Sequence, residues 1–256
     1  MNYYIAKLFI RHCRVDIRIN DVPLFKQEVD ADLTLEMPIN YLIESSGSQM
    51  LTVQIYPNTG KLLLFSGSKC SIEIWRYDGS GFKIIPLEQI CSSTLSVNET
   101  EKTLPIKYDK QMFITFVSYQ NTRWSDCEKI KDRPNLASEV NAYFQNIGQL
   151  LANRQYEKYN EYVRDREWKI STALSLDDEE ANSRNQMLFK CLDNGFALQP
   201  IKGEKKLQFY ANNRLVTILE EDMRSALRFQ NVETGEILAI EVLLGIRKGQ
   251  NSLAVI

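Results

Sequence analysis

Along the first 120 residues, apolar and polar positions alternate with a period of two. "RVDIRI" sends Val15, Ile17 and Ile19 to one side, and "LTVQIY" does the same with Leu51, Val53 and Ile55. "CSIEIWRY" and "MFITFVSY" add runs of β-branched and aromatic residues, which suit a pleated, half-buried surface. Turn signals separate the runs: Asn20-Asp21, "PNTG" at 57–60 and "DGSG" at 78–81. Strands at this spacing, with no long helix among them, predict an all-β domain over residues 1–120, a sandwich or a small barrel. "PINYLIESSG", between Pro38 and Gly47, reads as a helical turn crossing one end of it.

Both periods vanish in "QNTRWSDCEKIKDRPN", so residues 121–135 are expected to be a linker. Helical spacing begins directly after it. Val140, Tyr143, Phe144, Ile147, Leu150 and Leu151 fall on one stripe. A second helix from about Arg154 carries Tyr156, Tyr159, Val163, Ile170 and Leu174. Asp177 and Asp178 precede a third, placing negative charge where its first amides point. Its stripe is Met187, Leu188, Cys191 and Leu192, with Gly195 as the stop.

From Lys206 onward the period returns to two. Asn212-Asn213 tolerates left-handed φ and pairs Leu207 with Ile218 and Phe209 with Val216. Thr234-Gly235 suits a two-residue loop, which sets Leu227 against Val242, Phe229 against Ile240 and Arg228 against Glu241. A turn at Gly249-Gln250 pairs Leu244 with Val255 and Ile246 with Leu253. Each register leaves one wholly apolar face, so a five-strand antiparallel meander is expected, with the three helices packed on that face. The fold class is α+β: a sandwich-like all-β domain, then an α+β domain over 136–256.

Three helices ahead of a bent sheet are similar to the NTF2-like (cystatin-like) superfamily, whose fold is a cone. The resemblance covers residues 136 to 256 and is one of element order, without a sequence motif. The whole chain also resembles uncharacterised two-domain bacterial proteins, some of them near secretion or toxin–immunity loci. That second resemblance transfers no residues.

Charge narrows the partners. Thirty-one basic against 33 acidic residues leave a net charge of −2. The two signs are balanced in both halves, which argues against a nucleic-acid footprint. Polar residues interrupt every apolar run near the amino terminus, so neither a signal peptide nor a membrane span is expected. Five scattered cysteines without a C-x-x-C pair fit a reducing compartment, with the cytoplasm as the default. The sequon at Asn98-Glu99-Thr100 is then chance.

Catalytic inventory is thin. The one histidine, His12, adjoins Cys13 in a strand, where neighbours point to opposite faces and form no dyad. No metal-ligand spacing or phosphate-cradling glycine loop appears, and no cofactor is implied. "DDEE" at 177–180 lacks the alternating spacing of a calcium loop and reads as a helix cap. Two features remain. Glu167 falls on or beside the apolar stripe of the second helix. NTF2-like enzymes place an acid or base inside the cone, and the resemblance implies that role for it; a pair with Arg164 or Lys169 at the stripe's edge is the plainer reading. Arg228 and Glu241, with Gln208, Tyr210, Thr217 and Gln230, make a polar-aromatic sheet face suited to a protein partner, the first domain or a ligand.

Two functions follow. One is a non-enzymatic binding protein, an adaptor or immunity-like protein with a protein partner. The other is a small-molecule carrier or pocket enzyme, with Tyr143, Tyr159 and Glu167 lining a closed cavity. Exposed strand edges leave a homodimer open.

Overall fold

The computed structural model describes residues 1–79, 84–98, 106–201 and 206–256. The turn expected at 78–81 and the sequon at 98–100 run into positions outside that set. The protein is α+β and forms two compact units: Met1–Asn121 with Glu221–Met223, and Thr122–Glu220 with Arg224–Ile256.

The first unit is one antiparallel six-stranded sheet of β1 (Asn2–Ile19), β2 (Val22–Pro38), β3 (Gly47–Tyr56), β4 (Lys69–Asp78), β5 (Ile85–Ser96) and β6 (Lys107–Thr115). β1 and β2 form a long hairpin closed at Asn20-Asp21, whose φ values of 54° and 61° are the positive pair that a two-residue hairpin loop needs. Along its other side β1 pairs first with β4 (residues 2–11) and then with β3 (14–19). The handover falls at His12, where φ is 49° and the β1–β2 register slips.

The slip resets the alternation. Tyr4, Ala6, Leu8 and Ile10 are buried before it, and Cys13, Val15, Ile17 and Ile19 after it. Without a break, the even-then-odd pattern would turn one half of β1 outward. The strand order β5-β4-β1-β3-β6 has β5 and β6 at its ends, yet Ser93 Oγ donates to Asp109 Oδ2 (2.5 Å) and Lys107 Nζ to the Ser96 carbonyl. The sheet therefore curls until its ends meet. A 3₁₀ turn at Asn40–Leu42 ties one end of it. The buried Asn40 side chain accepts from the Tyr4 amide (2.8 Å) and donates to the Asn2 carbonyl (3.0 Å).

The second unit begins with residues that have neither helix nor strand but are well packed: Trp124, Cys127 and Ile130, three apart, are all buried. Then come α1 (Leu136–Ala152), α2 (Tyr156–Leu174) and α3 (Asp178–Asp193). Val140, Phe144, Ile147 and Leu151 of α1, with Tyr159 and Val163 of α2, join one apolar core with the strands' Val216, Ile218, Phe229, Ile240, Val242, Leu244 and Val255. α3 departs from its expected stripe. Of those residues only Leu192 is buried, Met187 is exposed, and Phe189 stacks on Tyr156 at 4.0 Å between ring centres.

The expected five-strand meander is two smaller antiparallel sheets. One is β7 (Phe196–Leu198), β10 (Arg228–Asn231) and β11 (Ile237–Ala239), ordered β7-β10-β11. The other is β8 (Leu207–Tyr210), β9 (Leu215–Ile218), β12 (Leu244–Gly245) and β13 (Ala254–Val255), ordered β8-β9-β12-β13. The Leu207–Ile218, Phe209–Val216 and Leu244–Val255 pairs form as expected. After β9 the chain folds back on itself, with Leu219 bridging Ser225 and the Ala226 amide donating to the Ile218 carbonyl (2.9 Å), but this pairing does not continue into β10. β12 takes that place instead, with Leu244 opposite Val216 and Thr217 Oγ1 donating to the Val242 carbonyl (2.7 Å).

The 228–239 hairpin is also corrected: Arg228 pairs with Ala239, and Phe229 with Leu238. Asn231 is the cause. Its Oδ1 accepts from the amides of Glu233 (2.9 Å) and Thr234 (3.0 Å), and its own amide donates to the Glu236 carbonyl (2.9 Å). The loop thus spans 232–235 and places Gly235 at φ 73°. A slip of two residues leaves faces unchanged, so Leu227, Phe229, Ile240 and Val242 are still buried.

Candidate functional site

α2 has two faces. Its apolar face carries Tyr159, Val163, Ile170 and Leu174 into the core. On the other, Asn160, Arg164, Glu167, Trp168, Ser171, Thr172 and Ser175 recur at helical spacing. They line one wall of a half-open cleft of about 480 Å³. Ala181, Asn182, Asn185, Gln186 and Phe189, on one face of α3, line the other wall.

Asp177 starts α3 with a capping box. Its side chain accepts from the Glu180 amide (2.8 Å) and the Glu180 carboxylate accepts from the Asp177 amide (3.1 Å). "DDEE" is thus a helix start. Helices that face each other normally do so with apolar residues. Here Phe189 does so against Tyr156 and Tyr159, whereas much of the remaining facing surface is amides, hydroxyls and charges, Asp178 among them, around a groove.

Glu167 sits in this cleft. Its carboxylate meets Arg166 at 2.5 Å and Arg184, from α3, at 3.7 Å. Burial works against the Arg166 charge, but Tyr159 and Glu167 outweigh that and hold its pKa above the usual guanidinium value. Asn185 Nδ2 donates across the cleft to Asn160 Oδ1 (3.2 Å). The Trp168 indole is 64% exposed at the rim.

The other residues singled out in the sequence lie elsewhere. Tyr159 is buried in the core. Tyr143 packs edge-on to Tyr162, and burial, with Tyr162 beside it, pushes its hydroxyl up to about 12. Neither lines the cleft with Glu167. Tyr210 and Thr217 are buried, so the sheet face that holds them is largely covered. Arg228 donates from Nε to the Ser225 carbonyl (2.9 Å), capping the bend before its own strand. Glu241 is exposed, two residues past the Arg228 partner. His12 lies edge-on to Phe65 at 5.6 Å, whereas Cys13 is buried with its thiol on the Lys69 carbonyl. Burial pushes that thiol up to about 12.

The first unit carries a different surface. Odd-numbered Phe113 and Thr115 of β6 point inward and are buried. Even-numbered neighbours point outward: Ile106, Tyr108, Met112 (67% exposed), Ile114 (61%) and, just past the strand, Phe116 (61%). Met50 of β3 lies directly opposite Met112. Ile84, Ile85 and Leu87, at the start of β5, are exposed too. "MFITFVSY" signals a strand in the sequence, but every second position is apolar on both faces, so alternation could not say which set would be outside.

Among the described residues, no group of three or more His, Cys, Asp or Glu is placed to hold a metal ion. Nor is any helix there long and apolar enough to cross a membrane. No family model, curated protein or solved structure matches the chain.

Proposed function

We propose that this is a cytoplasmic binding protein, adaptor or immunity-like in character, that recognises a protein partner through the outward face of β6. The observation that carries the reading is the stripe Ile106, Tyr108, Met112, Ile114 and Phe116: five large apolar side chains left in water along one strand. Exposed apolar residues scattered singly are ordinary, whereas a row of them on one face marks an interaction surface, and aromatic residues and Met are the types enriched there. The finer fold reading belongs to the same proposal. Two half-sheets sharing the bent β1 support a sandwich-like first unit, and three helices ahead of the core strands support an NTF2-like second one.

The test compares affinity-tagged wild type with Met112→Glu/Ile114→Glu in native host lysate. Both positions are exposed, so the pair should leave the melting temperature unchanged while abolishing recovery of a stoichiometric partner. Equal recovery by both proteins, or no stoichiometric partner under several growth conditions, contradicts the reading. A partner that proves to be a second copy of the chain makes the same face a dimer interface.

A further inference from the structure

We propose that a pocket in the first unit, between His12 and the loop of residues 57–68, binds a small aromatic carboxylate at a site separate from the β6 stripe. The pocket is half-open and holds about 570 Å³, within the range of small-molecule sites. Leu63, Leu64 and Phe65 form its apolar wall, and His12, Asn58, Lys61 and Ser66 its polar one.

The loop is pinned at both ends. Arg14 Nε donates to the Pro57 carbonyl (2.5 Å), Asn58 Nδ2 to Asp30 Oδ1 (2.6 Å), and the Thr59 amide and hydroxyl to the Glu28 carboxylate (3.0 and 2.5 Å). At the far end Ser68 Oγ donates to the His12 carbonyl (2.6 Å) and the Gly67 amide to the Val97 carbonyl (3.0 Å). Between these ties Leu64 is buried as an anchor, while Leu63 and Phe65 on either side of it stay exposed. The ties thus hold two large apolar side chains in water, already arranged for a ligand to cover.

His12 closes the pocket from β1. It sits at the bulge with φ at 49°, and a bulge re-aims a side chain out of the regular alternation. Here it sets the imidazole edge-on to the Phe65 ring, 5.6 Å between centres and 71° between planes. Among the described residues, the ring nitrogens of His12 and the Lys61 ammonium have no hydrogen-bond or ion-pair partner.

Charge sets the sign of the ligand. Of the residues that line the pocket, Lys61 is the only Lys, Arg, Asp or Glu. The β2 acids that reach the loop and the bulge lie outside that lining and are engaged: Asp30 by Asn58, Glu28 by Thr59, and Asp32 by two bonds from Arg11 (2.6 and 2.5 Å). A cationic ligand would face Lys61 with no carboxylate to offset it. One ammonium balances the single charge of a carboxylate, whereas a phosphate brings nearly two. The exposed Phe65 ring offers a surface on which a flat ring stacks, with the leucines beside it. A sugar would set its hydroxyls against three apolar side chains and leave them unpaired.

The test uses the full chain without a histidine tag. The probes are aryl acids from benzoate to indole-3-acetate, each with the neutral amide and the amine of the same shape. His12 is the sole histidine, so its ring gives one carbon–proton NMR signal, and a saturable shift of that signal reports this pocket. At least one acid is expected to saturate it and to bind about tenfold or more tighter than its amide, with the amine weaker still. Lys61→Met should bring that acid down to the affinity of its amide. Leu63→Ala/Phe65→Ala, both exposed positions, should weaken the acid about tenfold or more at unchanged melting temperature. Met112→Glu/Ile114→Glu should bind it as wild type does, which keeps this result apart from the stripe's. The proposal is overturned if no acid saturates the signal of the folded chain, if the amide or amine binds as tightly as the acid, or if the Lys61 and Leu63/Phe65 variants bind as wild type does.

Discussion

Asp16 is 1% exposed and carries a charge in the first unit. Arg18 grips it with two bonds, Nε to Oδ1 at 2.9 Å and Nη2 to Oδ2 at 2.7 Å, and Lys26, directly across the hairpin, adds a third contact at 3.0 Å. Burial raises the Asp16 carboxyl, but the Arg18 hydrogen bonds and the Lys26 and Arg18 charges outweigh it and hold the pKa below the ordinary carboxylate value. A carboxyl that titrates lower when folded contributes its stability at neutral pH and loses it as pH falls through the acid range toward the folded value. Asp16→Ala removes the carboxylate that the buried Lys26 meets, while Arg18 keeps Asp21 at 2.8 Å, so it should cost about 3–5 kcal/mol in urea unfolding at pH 7. Asp16→Asn should also flatten the fall in melting temperature below about pH 4. An acid profile as steep as wild type's would show that the cluster is not a source of that dependence. In the sequence, Asp16 is one polar residue in an alternating strand, and nothing local marks it as buried.

His12 shows the same limit. The sequence reads it as an ordinary strand residue, yet the strand turns on its positive φ. That conformation costs an L-residue about 1–2 kcal/mol, and more if it is β-branched. His12→Gly should therefore be neutral or stabilising. His12→Val should destabilise by more than about 1 kcal/mol. Equal stability of the two variants, read from denaturant midpoints, would contradict the bulge.

At the scale of elements, what was legible followed from local chemistry. The helices declared themselves by period, the Asn212-Asn213 hairpin by its turn residues, and α3 by Asp177, whose loss in Asp177→Ala should cost about 1 kcal/mol. A differential-scanning trace with no shift would mean that the capping box does not hold in solution. What was not legible depended on longer range. β2 and β5 were unannounced because Asp30, Asp32 and Glu36 in the one, and Glu88 and Gln89 in the other, interrupt the apolar run on exposed stretches. The 228–239 register failed because the Asn231 side chain, rather than the Thr234-Gly235 dipeptide, builds the loop. The split of the meander depends on the fold-back of 219–226 stopping short of β10 and on the competing claim of β12 on β9. The polar face of α2 does carry a signal in the sequence: Asn160, Arg164, Glu167, Trp168, Ser171 and Thr172 recur at helical spacing opposite the apolar stripe.

At the scale of the molecule, each unit has a well-filled core and sets its unusual residues on its surface. The first unit leaves apolar side chains in water along β6, and the second leaves amides unpaired between two helices. Neither arrangement serves folding, since burying the stripe or filling the cleft with apolar contacts would stabilise the chain further. The stripe is a surface that gains from a partner. A photo-reactive phenylalanine analogue placed at residue 114 in the native host, beside a control at exposed Glu73, tests that most directly. Cross-linking from 114 to one discrete protein species, with none from 73, is the result the account predicts. A chain that cross-links from 114 to no protein, or indiscriminately from both positions, contradicts it.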